Sequence, residues 1–518
     1  MKRPTTPPGS PTHSSSAGAL GPAGNPPDLS EEGLDPDDWD SLRRLGHRMV
    51  DDLVAFHSGL SEGPAWQSGD TDPGEGLALE FPQPPIGAEE AYEVFLRRIL
   101  PYHYSNIHPR GWGWVNGTGT TLGAFAEMMA AGMNPNTWGG RHGAAWVENA
   151  VMSFFREVFQ FPDDATGLLL SGGSVANLVA LAAAREAVVG GTVSASGLRA
   201  SERQLTFYTS ERVHNSVDKA VGILGVGWEY LRKVPTDDTH RLDLDALARA
   251  VAEDRERGLH PACVVATAGT VDTGSIDPLD DVAELCRSEG LWMHVDGAFG
   301  GLLQLSSPLR PLVRGIERAD SIAFDLHKWL HAPIEAGCVL VRHPDAHRRP
   351  FSPPAPYLRW FDRGVASGPD NYAALGPQLT RGFRALKVWM SLKAHGSEVY
   401  GRLIEQNVRQ ARYLEERVRS HPDLEMMAPT PLNICCFRYR PGGVSEADAN
   451  AANVELLMRL HESGIAVLSS TEINERFTLR ASFTNHRTRR SDIDGLVEAT
   501  VALGREILEE AEPGMSES

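Results

Sequence analysis

From Asp38 onward the apolar residues Trp39, Leu42, Leu45, Met49, Val50, Leu53 and Val54 recur three and four positions apart, which predicts an amphipathic helix ending near Gly59. After a Pro- and Gly-rich stretch, residues 88–100 predict a second, shorter helix. These two apolar faces need a surface to cover, so residues 37–110 read as an N-terminal helical extension that clasps a partner surface. Between about Gly123 and Arg342 the pattern changes: short apolar runs rich in β-branched residues alternate with helix-like segments. The runs are 167–170, 204–208, 228–233, 262–268, 291–295, 321–324 and 338–341. Strands apolar on both faces are covered on both faces, so the alternation predicts an α/β fold with a mostly parallel sheet and crossover helices. A long amphipathic stretch over 382–421 follows, then strand 434–439, helix 447–462, strand 477–483 and helix 491–510. That order predicts a smaller C-terminal α+β domain.

The expected organisation is therefore a tail over 1–36, the extension over 37–110, a large domain over 111–390, a small domain over 391–511 and a short tail over 512–518. Residues 1–36 are dominated by Pro, Gly, Ser and Thr, and with so few large apolar side chains they cannot offset the entropy of ordering. No internal repeat of 20 to 50 residues is present, which removes solenoids and propellers.

Composition narrows the function. The 518 residues carry 49 Lys+Arg against 68 Asp+Glu, a net charge of −19. Such an acidic chain is a poor counterion-releasing nucleic-acid binder and a poor partner for anionic membranes, so neither partner is expected. No run approaches eighteen uninterrupted apolar residues, which argues against a transmembrane span. Five cysteines without a CxxC pair fit neither a disulfide framework nor a zinc site, so no metal and a reducing compartment are expected. The start, Met1-Lys2-Arg3 followed by Pro and Thr, lacks the apolar run of a secretory signal, and the expected location is the cytoplasm.

Candidate chemistry lies at the ends of the predicted strands. His294-Val295-Asp296-Gly297-Ala298 and Phe324-Asp325-Leu326-His327-Lys328-Trp329 each present ionisable groups where an apolar run stops. Open parallel sheets bind ligands at that edge. A carboxylate and a lysine on neighbouring strand ends are what pyridoxal 5′-phosphate requires: the lysine bonds the aldehyde carbon and the carboxylate pairs with the protonated ring nitrogen. Asp296 and Lys328 are equally compatible with a structural ion pair. Leu170-Ser171-Gly172-Gly173-Ser174 breaks a strand into an alanine-rich helix, which directs free N–H groups and the helix dipole at one point and suits a phosphate. Ser174 is expected to double as the N-cap, and an ordinary capped turn would look the same. His214 follows another strand end, where an imidazole can stack on an aromatic cofactor or cap a helix.

With these motifs in view, the sequence resembles the PLP-dependent group II amino-acid decarboxylases, which include aromatic-L-amino-acid, histidine and glutamate decarboxylases. The resemblance runs from about Asp37 to Glu510 and rests on His327-Lys328-Trp329, on His294-Val295-Asp296-x-Ala298 and on Ser171-Gly172-Gly173-Ser174-x-Ala176-Asn177. It implies the fold-type I, aspartate aminotransferase-like scaffold and pyridoxal phosphate as cofactor. By the same resemblance Lys328 anchors the cofactor, Asp296 meets the ring nitrogen, Ala298 and His214 lie on opposite ring faces, and Thr267 sits near the ring. Gly173, Ser174 and His327 would hold the phosphate, with Asp325 at a position where the family often has Asn. The family's proton-delivering tyrosine precedes an Arg-x-Phe-Arg-x-Leu-Lys helix, here Arg381 to Lys387, and counting back from it selects Tyr372 on a Gly- and Pro-rich lid. Relatives with phenylalanine there release aldehydes instead.

For the substrate, the resemblance points to the segment 106–117, where Trp112 and Trp114 offer an aromatic wall and Val115 stands at a usually aromatic position. A further pocket residue is expected near Asn136 from across a homodimer interface, and Arg141 with His142 is expected to bring charge near the pocket. The expected reaction is decarboxylation of a small amino-acid substrate, aromatic as the leading class, to the primary amine. Another PLP-dependent lyase, an aldehyde synthase on the same scaffold, and a PLP-binding protein without turnover stay open at this point.

Overall fold

The computed structural model describes residues 33–68, 84–191, 193–198, 201–353, 355–356 and 359–511. The tail expected over 512–518, and residues 1–32 of the one expected at the start, lie outside them. The chain divides into two compact units at Leu53 and Val54. The first unit contains the start of the helix Trp39–Gly59, on which Trp39, Leu42 and Met49 are exposed.

In the second unit the alternating apolar runs form a seven-stranded sheet. Its strands are β1 (Thr166–Leu170), β2 (Leu205–Ser210), β3 (Leu231–Val234), β4 (His260–Thr267), β5 (Trp292–Asp296), β6 (Ser321–Asp325) and β7 (Gly337–Val341). Their order is β1-β7-β6-β5-β4-β2-β3. Strands β2 to β6 pair in parallel, and β7 alone runs antiparallel between β1 and β6. Every residue of β1, β2, β5, β6 and β7 is buried, which is why these runs are apolar throughout rather than alternating. One expected strand is shorter than its apolar run. Trp228–Tyr230 is a 3-10 turn, because Gly227 turns at φ 95° and the exposed Trp228 indole donates to the Asp218 carbonyl at 2.9 Å, so β3 starts only at Leu231.

A second, antiparallel sheet of order β10-β11-β9-β8 comprises β8 (Leu424–Met426), β9 (Ile434–Tyr439), β10 (Ser469–Ile473) and β11 (Arg476–Ser482). The amphipathic stretch over 382–421 is two helices, Ala385–His395 and Ser397–Ser420, because Gly396 adopts φ 75° between them. Strands β8 and β10 were not expected: β8 has three residues, and β10 reads Ser-Ser-Thr-Glu-Ile with its middle turned outward. Trp112 is fully buried in the core under this sheet, against Phe483, with its indole N–H on Thr488 Oγ1 at 3.1 Å. It belongs to that core and not to an aromatic pocket wall. No described helix is long and apolar enough to cross a membrane.

Two glycines set how closely the chain packs around the strand ends. A Cβ on Gly117 would lie 1.3 Å from the His327 carbonyl oxygen, and one on Gly337 would lie 2.4 Å from Gly172 Cα. Any larger residue would push apart the turn that carries Lys328 or the glycine turn that follows β1.

Candidate active site

The C-terminal ends of β1, β2, β4, β5 and β6 open on one cavity of about 510 Å³. In-register pairing aligns Thr267 of β4 with Asp296 of β5, and Asp296 with Ala323 of β6, so groups 27 and 29 residues apart in sequence become neighbours. Lys328 sits in the turn after β6, its Nζ 3.1 Å from Asp325 Oδ2. The buried Asp296 carboxylate receives the Ala298 N–H at 3.1 Å on Oδ1 and Asn177 Nδ2 at 2.9 Å on Oδ2.

Behind Asp296 the hydrogen bonds have a direction. The Trp292 indole donates to Ser321 Oγ at 2.9 Å, and Ser321 Oγ lies 2.9 Å from His294 Nδ1. Burial pushes His294 down to about 4, so it is neutral, and with Nδ1 serving Ser321 its proton sits on Nε2, 2.9 Å from Asn177 Oδ1. Asn177 is thereby oriented with its amide nitrogen toward Asp296 and toward Ser216 Oγ at 3.0 Å. Ser216 in turn holds His214: its N–H donates to Nδ1 at 3.2 Å and its hydroxyl lies 2.8 Å away. The His214 ring is held below its ordinary value chiefly by burial, so it faces the cavity neutral, with the remaining proton on Nε2.

The glycine turn after β1 differs from its expected capping. The helix Gly173–Val188 starts one residue earlier than Ser174, and its N-cap is Gly172, with no side-chain cap. Gly172 has no capping oxygen, so the N–H groups of Val175 and Ala176 share its carbonyl, and those of Gly173 and Ser174 stay directed at the cavity. His327 lines the same region, its Nδ1 engaged by the backbone of Ala336. Thr267 Oγ1 and Asp325 Oδ1 are buried without a hydrogen-bond partner. The donor set thus matches pyridoxal phosphate: a lysine amine, a carboxylate aimed for a ring nitrogen, an imidazole and a methyl group for the ring faces, and free N–H groups at a helix start for the phosphate.

At the mouth, Trp114 stacks on Tyr104 with ring centroids 5.7 Å apart, and Val115, Val271 and Ile334 add apolar surface. Glu335 also lines the mouth and accepts from Arg384 Nη2 at 2.6 Å.

Three expected residues are not brought to this cavity. Tyr372 is no lid residue: it lies in a 3-10 turn, is 4% exposed, and packs in the core that also contains Leu168, Leu170 and Leu375. The Arg381 guanidinium stands 5.2 Å from its ring, and its hydroxyl has no partner. Arg381 itself is fully buried, paired with Glu148 and donating to Thr137 and Leu169 carbonyls, so this corner is rigid. Asn136 accepts the Arg381 N–H at 3.0 Å, and Arg141 lies exposed against Gly368. Neither lines the cavity of its own chain. Conversely Asn177, Ser216, His294, Tyr104 and Glu335 were not singled out. Asn177 stood in a quoted motif, and its position one turn into the helix after the glycine turn was the available signal.

A family model described as "Pyridoxal-dependent decarboxylase conserved domain" matches residues 95–440. The chain is 32% identical over 472 residues to an aromatic-L-amino-acid decarboxylase of Bacillus atrophaeus, covering 90% of this chain and 96% of that protein. It is 32% identical over 490 residues to a tyrosine decarboxylase of Oryza sativa subsp. japonica, covering 88% and 89%. In fold it superposes on the crystal structure of Oryza sativa TDC with PLP and tryptamine at a TM-score of 0.83 and 24% identity, over 92% of this chain and 100% of the other.

Proposed function

The chain belongs to the pyridoxal-dependent decarboxylases and is a PLP-dependent amino-acid decarboxylase, and from that premise we propose that its substrate is an aromatic L-amino acid, released as carbon dioxide and the primary amine. The observation that carries the substrate class is the mouth of the cavity. It is built from Tyr104, Trp114, Val115, Val271 and Ile334, and its one carboxylate, Glu335, is already engaged by Arg384. Such a rim favours a planar apolar side chain. Among the described residues that line it, the cation is Lys328, which leaves no guanidinium there for an acidic side chain.

Lys328 would bond the cofactor's aldehyde carbon, Asp296 would pair with the ring nitrogen, and Gly173, Ser174 and His327 would hold the phosphate. When bound, the protonated ring supplies an electron sink for the pair left on Cα as carbon dioxide departs. The protein's own part is positional. The Asn177 relay keeps Asp296 aimed, and His214 and Ala298 would confine the ring between two faces. Lys328 would be the amine that anchors the cofactor between turnovers.

A proton must reach Cα for the amine to form. Between Lys328 and Arg381 the chain has two tyrosines, Tyr357 and Tyr372. With Tyr372 packed in the core, the loop tyrosine that the resemblance requires is Tyr357, which lies outside the described residues. A second copy of the chain would cover the exposed apolar face of the helix Trp39–Gly59 and complete the mouth. The test is an absorbance spectrum with PLP followed by an amine and carbon dioxide screen over the common amino acids. A band near ~420 nm, a cofactor property, with amine from tyrosine, tryptophan or phenylalanine supports the reading. Amine only from acidic or basic amino acids overturns the substrate class.

A further inference from the structure

A carboxylate stands where an anion is to be held. Asp325, the last residue of β6, is 3% exposed, with Oδ2 3.1 Å from Lys328 Nζ and 3.7 Å from His327 Nε2. Its Oδ1 is buried and has no hydrogen-bond partner. Both oxygens face the glycine turn: a Cβ on Gly173 would lie 3.1 Å from Oδ2, and one on Gly172 would lie 3.9 Å from Oδ1. This is the turn whose Gly173 and Ser174 N–H groups are free for the phosphate. The remaining ionisable neighbours are His327 and Lys328 from its own turn, His214 across the cavity, Asp296 on β5 and Cys338 on β7. Burial holds both histidines below their ordinary value and Cys338 well above its own, so at pH 8 all three are neutral.

The compensating cation is therefore Lys328, and its nitrogen is committed to the aldehyde carbon once cofactor is loaded. A phosphate monoester is a dianion above about pH 6. Two anionic oxygens sharing one desolvated site raise each other's proton affinity until one of them is protonated.

We propose that Asp325 holds the cofactor's phosphate through a shared proton, one proton being taken from solvent at pH 8 to form an O–H···O⁻ bond between the carboxylate and a phosphate oxygen. This makes Asp325 a discriminating residue: it favours the protonated phosphate and links cofactor retention to pH, where a neutral amide would accept the dianion without uptake. The inference rests on the glycine turn being the phosphate seat.

The test is titration calorimetry of the full chain, freed of cofactor, at pH 8 in two buffers of different ionisation enthalpy, with PLP and with pyridoxal, which lacks the phosphate. Bonding to Lys328 is common to both ligands and cancels in the comparison. The wild type takes up about one proton more with PLP than with pyridoxal, and its affinity for PLP relative to pyridoxal falls about tenfold per pH unit above pH 8. Asp325→Asn removes both effects. Equal proton uptake for the two ligands in the wild type overturns the proposal, as does an unchanged excess in Asp325→Asn. The wild-type comparison decides even where the variant does not fold. Should PLP bind no tighter than pyridoxal, the phosphate seat itself is misassigned. PLP binding tighter without the extra proton removes only the role of Asp325.

Discussion

Asn177 Nδ2 donates to Asp296 Oδ2 over 2.9 Å while Asn177 Oδ1 accepts from His294 Nε2 over the same distance. One amide thus transmits the fixed tautomer of a buried histidine to the carboxylate that we propose meets the cofactor ring. Asn177→Ala leaves Asp296 Oδ2 without its donor and His294 Nε2 without its acceptor. A hydrogen bond to a charged group contributes about 1.5–3 kcal/mol, so PLP is expected to be retained roughly ten- to a hundredfold less tightly. Titration of the variant's Schiff-base band against PLP concentration measures this, and an unchanged affinity would mean that Asp296 keeps its orientation unaided.

Lys328 has two separable roles. Lys328→Ala is expected to lower turnover at least about a thousandfold, the order lost with a covalent catalytic group. It also strips Asp325 of its ion-pair partner at 3.1 Å. The cofactor-free variant should therefore unfold at lower urea than the wild type. Adding Asp325→Asn should restore that stability without restoring activity. Stability that stays low in the double variant would show that the pair does not carry the loss.

The two tyrosines ahead of Arg381 should behave differently. Tyr372 presents a buried hydroxyl with no partner, so Tyr372→Phe is expected to change stability by less than about 1 kcal/mol and to leave the amine product intact. With dissolved dioxygen as the oxidant, Tyr357→Phe should divert product to the aldehyde, with ammonia and hydrogen peroxide. Chromatography of both variants' products decides between them, and aldehyde from the Tyr372 variant would return the role to that residue.

The cavity-lining residues were legible because each belongs to a strand end or the turn after it, where an apolar run stops at a polar group. Asp296, Lys328, Gly173 and His214 all obey that rule, and parallel register brings them together. The relay through Ser321, His294, Asn177 and Ser216 was not legible, because it links strands and helices far apart in sequence through side-chain hydrogen bonds that periodicity does not encode. Tyr372 misled for a related reason. Counting back from Arg381 gives a position in the chain but not its depth, and the buried pair of Arg381 with Glu148 draws the residues around it into the core. Trp112 and Trp114 lie two residues apart and would share a face in a strand, but the chain bends at 113–115, so one enters the core under the second sheet and the other lines the cavity.

Buried histidines give the fold an acid limit. Burial lowers His108, His294 and His486 to about 4 and His347 to about 3, from 6.5. Below pH 6.5 the unfolded chain protonates these four rings while the folded chain does not, so stability is lost as pH falls from about 6.5 toward 4. Each contributes about 1.4 kcal/mol per pH unit in that window. Asp277 works in the opposite sense. Burial raises it to about 6 from 3.8, so between those values the folded state holds a proton that the unfolded state lacks, and stability gains as pH falls. The histidine protons outnumber the one on Asp277, so the urea midpoint should fall steeply between pH 6 and pH 4.5 after a flat region above pH 7. His347 is the cleanest probe, since it is fully buried, its Nδ1 meets Thr166 Oγ1 at 2.7 Å, and it lies in a helix outside the cavity. His347→Gln should make the decline shallower by about one proton's worth, roughly 1.4 kcal/mol per pH unit. A decline of the same steepness in both proteins would assign the acid limit to other groups.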